Sequence, residues 1–112
     1  MSDEVNTQDT PASPEESPDF NDASMPLPPP SFEFLTLSFK TQAEIHMGLL
    51  HFGEEKDRPK PNPRMARHTI DMLAMLQQKT KGNLSLEEQR LIDNSLTELR
   101  FRYVQSFPEQ KS

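Results

Sequence analysis

The stretch KTKGNLSLEE (79–88) constrains the fold more than any other part of this sequence, because its residues predict a junction between two helices. Its lysines place cations at a helix end, where the dipole is negative. Gly82 suits the left-handed backbone that stops a helix. Ser85 and Glu88 have the S-x-x-E spacing of a capping box. A phosphate-binding loop would need more glycines and a preceding strand. The joint therefore predicts an antiparallel helical hairpin.

Apolar periodicity predicts the two helices of this hairpin. The second helix of the chain covers about 63–81, with Asn62 as N-cap and Pro63 at its first position. Its apolar stripe contains Ala66, Ile70, Leu73, Leu76 or Gln77, and Thr80, and we expect it to be widened by Met65, Met72 and Met75. The third helix covers about 86–105, and its predicted seam is Ile92, Leu96, Leu99, Tyr103 and Phe107.

The segment FEFLTLSFKTQAEIHMGLLHF (32–52) has two periodicities. Leu35, Leu37 and Phe39 alternate as in a strand, whereas a longer series follows helical steps. We predict a helix over 32–52 that ends at Gly53, because the run is long for a strand and no other segment offers a strand partner. Alternating prolines then predict an extended connection to the second helix.

This first helix carries apolar residues on two sides. One stripe, Phe32, Leu35, Phe39, Ala43, Met47 and Leu50, can dock against the hairpin. The other side contains Phe34, Leu37, Ile45 and Leu49. A monomer would leave that second side in water as a larger apolar patch than monomers usually tolerate. We therefore expect these four residues to form a self-association surface, with a twofold dimer as the first candidate.

Charge separates the N-terminal segment from the rest. Residues 1–30 hold seven acids and no Lys or Arg, whereas 31–107 hold ten acids and eleven bases. The segment is also rich in Pro and Ser and poor in large apolar residues, which predicts disorder. We expect an acidic, Pro-rich disordered tail (1–31), an all-α domain of three helices (32–107) and a disordered C-terminus (108–112).

Composition also excludes several classes of protein. Without cysteine there is neither a disulfide framework nor a thiolate metal site. No apolar run reaches the roughly 18 residues of a membrane span. The first residues have neither the basic start nor the apolar core of a secretory signal. We therefore expect a cytoplasmic protein with no membrane span.

Three phrases resemble a known family: TQAEIHMGLL (41–50), ARHTIDMLAMLQQKTKGNLSLEEQRLI (66–92) and LRFRYV (99–104). They are similar to the bacterial family DUF1844, a domain of unknown function. Its first motif stands here as Gln42-Ala43-x-x-His46-x-Gly48. The resemblance implies a small bacterial protein without an established activity, and it supplies no catalytic residues.

Few residues are candidates for chemistry. His46 and His51 lie about 140° apart around a helix, so they cannot hold one metal ion from that helix. Gln42 and His46, four residues apart, either bond each other or a second chain, or lie at a solvated rim. His68 and Asp71 are spaced for an acid–base pair, but no third member is evident, and a surface pair is favoured. We therefore expect no catalytic residue, metal or cofactor.

A cluster of cations precedes and begins the second helix: Lys56, Arg58, Lys60, Arg64 and Arg67. We call it the basic cluster. Two of its arginines lie at the helix end that disfavours cations, which suggests a site for an anion such as RNA phosphate, an acidic partner or the acidic tail. The alternative is a solvated linker, and no aromatic residue is interleaved for nucleic acid.

These patterns favour a non-enzymatic interaction protein that associates with itself and, as another candidate partner, with an unidentified protein. The rival hypothesis is an RNA- or ribosome-associated factor that uses the basic cluster. Nucleic acid is the less favoured partner, because the helical part is close to neutral.

Overall fold

The computed structural model describes residues 23–110. It contains three α-helices: α1 (Phe32–His46), α2 (Pro63–Lys79) and α3 (Leu86–Ser106). Single turns of 3-10 helix occur at Glu55–Asp57 and Pro108–Gln110. No strand occurs in these 88 described positions, 23 through 110. The prediction of an all-α domain with three helices is confirmed. The predicted tail falls mostly on residues 1–22, which lie outside the described part, so it stays a prediction.

The first helix is shorter than predicted. α1 ends at His46 instead of continuing to residue 52, so the prediction that Gly53 ends it is wrong. Gly48 has a φ of +81°, and the amides of Gly48 and Leu49 donate to the carbonyls of Ile45 (3.0 Å) and Glu44 (2.9 Å). This pair of hydrogen bonds is a Schellman motif, which closes the helix at its C-terminus. The start is capped by the Ser31 hydroxyl, which accepts from the amide of Phe34 at 3.0 Å.

The joint between α2 and α3 has the predicted chemistry. Gly82 has a φ of +87°, in the left-handed region. The Ser85 hydroxyl accepts from the amide of Glu88 at 3.1 Å, and the Glu88 carboxylate accepts from the amide of Ser85 at 2.8 Å. Both halves of the capping box are therefore present. At the start of α2, the Asn62 side chain accepts from the amide of Met65 at 3.0 Å, as its predicted cap role requires.

The core lies where the three helices meet. All five residues of the α3 seam are buried, as are Ala66, Ile70 and Leu73 of α2 and Ala43 and Met47 on and after α1. Thr36, Thr69 and Ser95 are also buried, and the apolar pattern missed them because they are polar. Their small volume, like that of the two alanines, lets helices approach closely. The Thr36 hydroxyl is buried without a hydrogen-bond partner among the described residues.

The methionines of α2 lie outside this core. Met65, Met72 and Met75 are between 36% and 43% exposed, so the prediction that they widen the apolar stripe is wrong. Thr69 occupies the adjoining buried position on α2 instead. On α1, Leu35 was expected to face the core but is exposed, and the neighbouring residue Thr36 is buried there instead.

Contacts between helices define their directions. The backbone amide of Asn62 donates to the backbone carbonyl of His46 at 2.7 Å, so the start of α2 lies beside the end of α1. Gln77 of α2 donates to Asp93 of α3 at 2.7 Å, close to their joint. Each helix therefore runs antiparallel to the next one. Residues 30–51 and those from 59 onward form this helical unit, whereas residues 23–29 and 52–58 belong to a second unit.

Candidate interaction surface

The four predicted self-association residues lie on one side of α1 and just beyond its end. We call Phe34, Leu37, Ile45 and Leu49 the outward face. At about 100° per residue, Phe34 and Ile45 are roughly 160–180° around the helix axis from buried Thr36. Phe34, Leu37 and Leu49 are 42%, 44% and 45% exposed, and Ile45 is half-buried. The outward face is thus an apolar surface that the described part of the chain leaves largely uncovered.

The turn after α1 extends this surface toward α3. The Schellman motif holds Leu49 beside a shallow groove on α3, and the groove is lined by Leu49, Glu98, Phe101, Arg102, Gln105 and Ser106. Phe101 is 64% exposed. Sequence reasoning missed Phe101 as a surface residue of interest. The sequence feature that could have identified Phe101 is its position outside the predicted α3 seam, two residues after Leu99 and two before Tyr103.

A charged group lies along the edge of this groove. Glu98 pairs with Lys40 of α1 at 3.0 Å and with Arg102 at 3.2 Å. The hydrogen bond from Lys40 is the main cause that lowers the pKa of Glu98. Burial opposes it as the next-largest effect, and the charges of Lys40 and Arg102 lower the pKa further. The i,i+4 pair of Glu98 and Arg102 on α3 therefore includes a third member from α1.

Two members of the basic cluster are paired with acids in the segment 52–58. Arg58 forms two hydrogen bonds to the Glu55 carboxylate, at 2.6 and 3.1 Å. The hydrogen bond to Glu55 is the main cause that raises the pKa of Arg58. Lys56 lies 3.5 Å from Glu54. These cations are therefore already compensated by neighbouring carboxylates.

The other three members belong to the helical unit. Arg67 pairs with Asp71 at 3.6 Å, one helical turn further along α2. Lys60 and Arg64 are exposed, and no acid among residues 23–110 lies within ion-pair distance of either. The structure thus shows acid partners for Lys56, Arg58 and Arg67, and it leaves two cations facing solvent at the start of α2.

The polar pairs considered for chemistry lie at the surface. Gln42 is exposed and His46 half-buried, and no hydrogen bond joins their side chains in the described region. His68 and Asp71 are both exposed, and Asp71 pairs with Arg67. Among residues 23–110, no group of three or more His, Asp or Glu side chains is arranged to hold a metal ion. Within residues 23–110, the pKa shifts of Arg58 and Glu98 arise in surface ion pairs.

The architecture defines a class first: a small all-α domain of three antiparallel helices. Residues 29–105 match the model of the family described as Domain of unknown function (DUF1844), and the protein belongs to this family. No curated protein and no solved structure matches the chain. Within residues 23–110, no helix has the length and hydropathy needed to cross a bilayer.

The phrases that carry the family resemblance have structural roles here. Ala43 is fully buried, and Gly48 forms the Schellman turn. A Cβ at Gly48 would lie only 2.8 Å from the ring of Pro61, so this position also permits close packing of the connection. The Lys-Thr-Lys-Gly-Asn-Leu phrase forms the joint before α3. These positions of the motifs therefore have roles in the packing and turns of the helical unit.

Proposed function

We propose that this protein is a non-enzymatic interaction module that associates with a second copy of itself through the outward face of α1. The observation that carries the proposal is the exposure of Phe34, Leu37 and Leu49 on one side of the molecule, away from the core. Exposed apolar side chains grouped on one side of a protein mark candidate sites of interaction with another protein. The surface ion pairs and the shallow grooves described above offer no comparable arrangement for catalysis.

The expected affinity follows from the area available. Phe34, at 42% exposed, leaves roughly 60–105 Å² of its side chain in water, given about 150–250 Å² for an aromatic residue. At about 25 cal/mol per Å², covering one such side chain contributes roughly 2 kcal/mol. Association has to offset lost translational and rotational freedom. We therefore expect a dimer with a dissociation constant in the micromolar range or tighter.

Charge placed in the outward face should prevent association. We expect Leu37→Glu combined with Ile45→Glu to yield a monomer that keeps its helix content, because buried carboxylates are costly. Met75→Glu is the matched control, since Met75 is 43% exposed but lies on α2. Mass would be measured by light scattering and helicity by circular dichroism. A double variant that stays dimeric would place the contact elsewhere.

The rival hypothesis, binding of RNA by the basic cluster, is separated by a second titration. An RNA-binding protein should show affinity that falls steeply as salt rises. Because Arg58 and Arg67 already have carboxylate partners, we expect no salt-dependent binding of RNA at micromolar protein concentration. If an RNA shift appears and is lost in Lys60→Ala with Arg64→Ala, the function lies at the start of α2 instead.

A further inference from the structure

We infer that the two copies pair through antiparallel α1 helices, and that Phe34 of each copy packs into the groove between Leu49 and α3 of the other, against Phe101. This inference rests on the proposed self-association. To that proposal it adds the antiparallel direction of the two α1 helices. It also adds a contact with Phe101 of α3, which is not part of the outward face.

The spacing of the outward face favours an antiparallel pair. Thr41 lies at its centre, with Leu37 four residues before it and Ile45 four residues after it. A twofold axis beside Thr41 therefore brings Leu37 of one copy to Ile45 of the other, twice. By the same symmetry Phe34, seven residues before this centre, comes near Leu49, eight residues after it. In a parallel pair, Phe34 would meet its own copy, and Leu49 would remain uncovered by an aromatic ring.

The groove at Leu49 suits an aromatic side chain. Its apolar walls are Leu49 on the α1 side and Phe101 on α3, and Arg102 and Gln105 form its polar edge. Two phenyl rings gain from edge-to-face or offset contact beyond the area that they bury. The guanidinium of Arg102, 42% exposed, adds a cation that can lie over a ring face.

The area of the interface explains why α3 has to take part. The exposed parts of Phe34, Leu37 and Leu49 amount to roughly 250 Å² of apolar surface. A standard stable interface buries about 800 Å² per partner, more than half of it apolar. Phe101, at 64% exposed, adds the largest single contribution on this side of the molecule. A second copy that covers both helices comes closer to the required area than one that covers α1 alone.

Two exposed apolar residues of α3 provide a matched test. Phe101→Glu should weaken the dimer of the full-length protein about tenfold or more, as loss of a central aromatic contact does. Phe101→Ala, which removes the ring without adding charge, should weaken it less. Val104→Glu is the control, because Val104 is 47% exposed but lines a different groove, with Arg67 and Tyr103. The dissociation constants would be measured by sedimentation equilibrium.

A charge swap tests the contact itself. Phe34→Glu and Phe101→Lys should each weaken the dimer, and the double variant should recover much of the loss, because the two positions meet across the interface. A double variant that is weaker than either single one overturns this inference, and so does an unchanged dissociation constant in Phe101→Glu. If Leu37→Glu still breaks the dimer in those cases, the proposed self-association stands alone. A monomeric wild type overturns both.

Discussion

The two connections of the helical unit hold their helices in different ways. The joint between α2 and α3 is short, and its glycine, its serine and its glutamate act on residues at most a few positions away. The connection between α1 and α2 is long, and two contacts between distant residues anchor it. These contacts are the packing of Gly48 against Pro61 and the hydrogen bond from Asn62 to His46.

This difference has consequences for stability. The short joint can form as soon as its own residues adopt the turn, so each part contributes a small local increment. The turn after α1 needs Pro61 to lie against it, and a side chain at Gly48 would disturb both at once. We therefore expect substitutions in the α1 connection to cost more than substitutions of the same kind in the hairpin joint.

Gly48→Ala should have the largest effect, about 2–4 kcal/mol of unfolding free energy. Alanine is strained at a φ of +81°. Its Cβ would also lie 2.8 Å from Pro61, and relieving such overpacking costs about 1–3 kcal/mol. Urea unfolding would measure the loss. Pro61→Ala in the Gly48→Ala background should recover the part that is due to packing, and no recovery would mean that the contact does not matter.

Gly82→Ala should cost about 1 kcal/mol, because φ is +87° but a Cβ there would have nothing within 4 Å. Ser85→Ala should cost about 1 kcal/mol through the lost cap. The same urea experiment compares these variants with Gly48→Ala. If Gly82→Ala destabilises the protein as much as Gly48→Ala does, packing at Pro61 contributes nothing and the two connections are equivalent.

The difference between the connections also explains which parts of the fold could be predicted. The hairpin joint and the α3 seam depend on the spacing of residues within one short segment. The sequence therefore predicts both of them residue by residue. The end of α1 was placed at Gly53 because the apolar pattern continues past Gly48 and both glycines can stop a helix. The burial of Thr36 and the exposure of Met72 depend on the distance between neighbouring helices. The periodicity of apolar residues within one helix does not predict that distance.

The ion pair that joins α1 to α3 should have the smallest effect. Because the pKa of Glu98 is lowered in the folded protein, its contribution is present above the unfolded value of 4.5 and is lost as pH falls through the folded value. The Glu98 side chain is 40% exposed, so solvent screens both pairs. We expect Glu98→Gln to cost roughly 0.5 kcal/mol at pH 7 and less below pH 4.5.

The control for this pair removes its partner. In a Lys40→Gln background, Glu98→Gln should cost less than in the wild type, because Lys40 is the main cause of the lowered pKa. Thermal unfolding at pH 7 and at acidic pH would follow the difference. A cost that is independent of pH would assign the effect to packing of the side chain rather than to its charge.

The candidate surface was predicted only in part. The second apolar stripe predicts all four residues of the outward face. The structure leaves Phe34, Leu37 and Leu49 exposed, and Ile45 is half-buried. Phe101 was missed because a single aromatic residue outside a seam has no periodic signal. Its relation to Leu49 exists only once the turn at Gly48 carries the chain toward α3, which is again a contact between distant residues.

Sedimentation equilibrium of the wild-type protein tests the central claim most directly. The chain has a mass of 12.9 kDa. Over a concentration series from low to high micromolar, we expect the apparent mass to rise to twice that value and to stay there, as for a closed twofold dimer. A mass that remains at 12.9 kDa at high micromolar concentration would contradict self-association through α1.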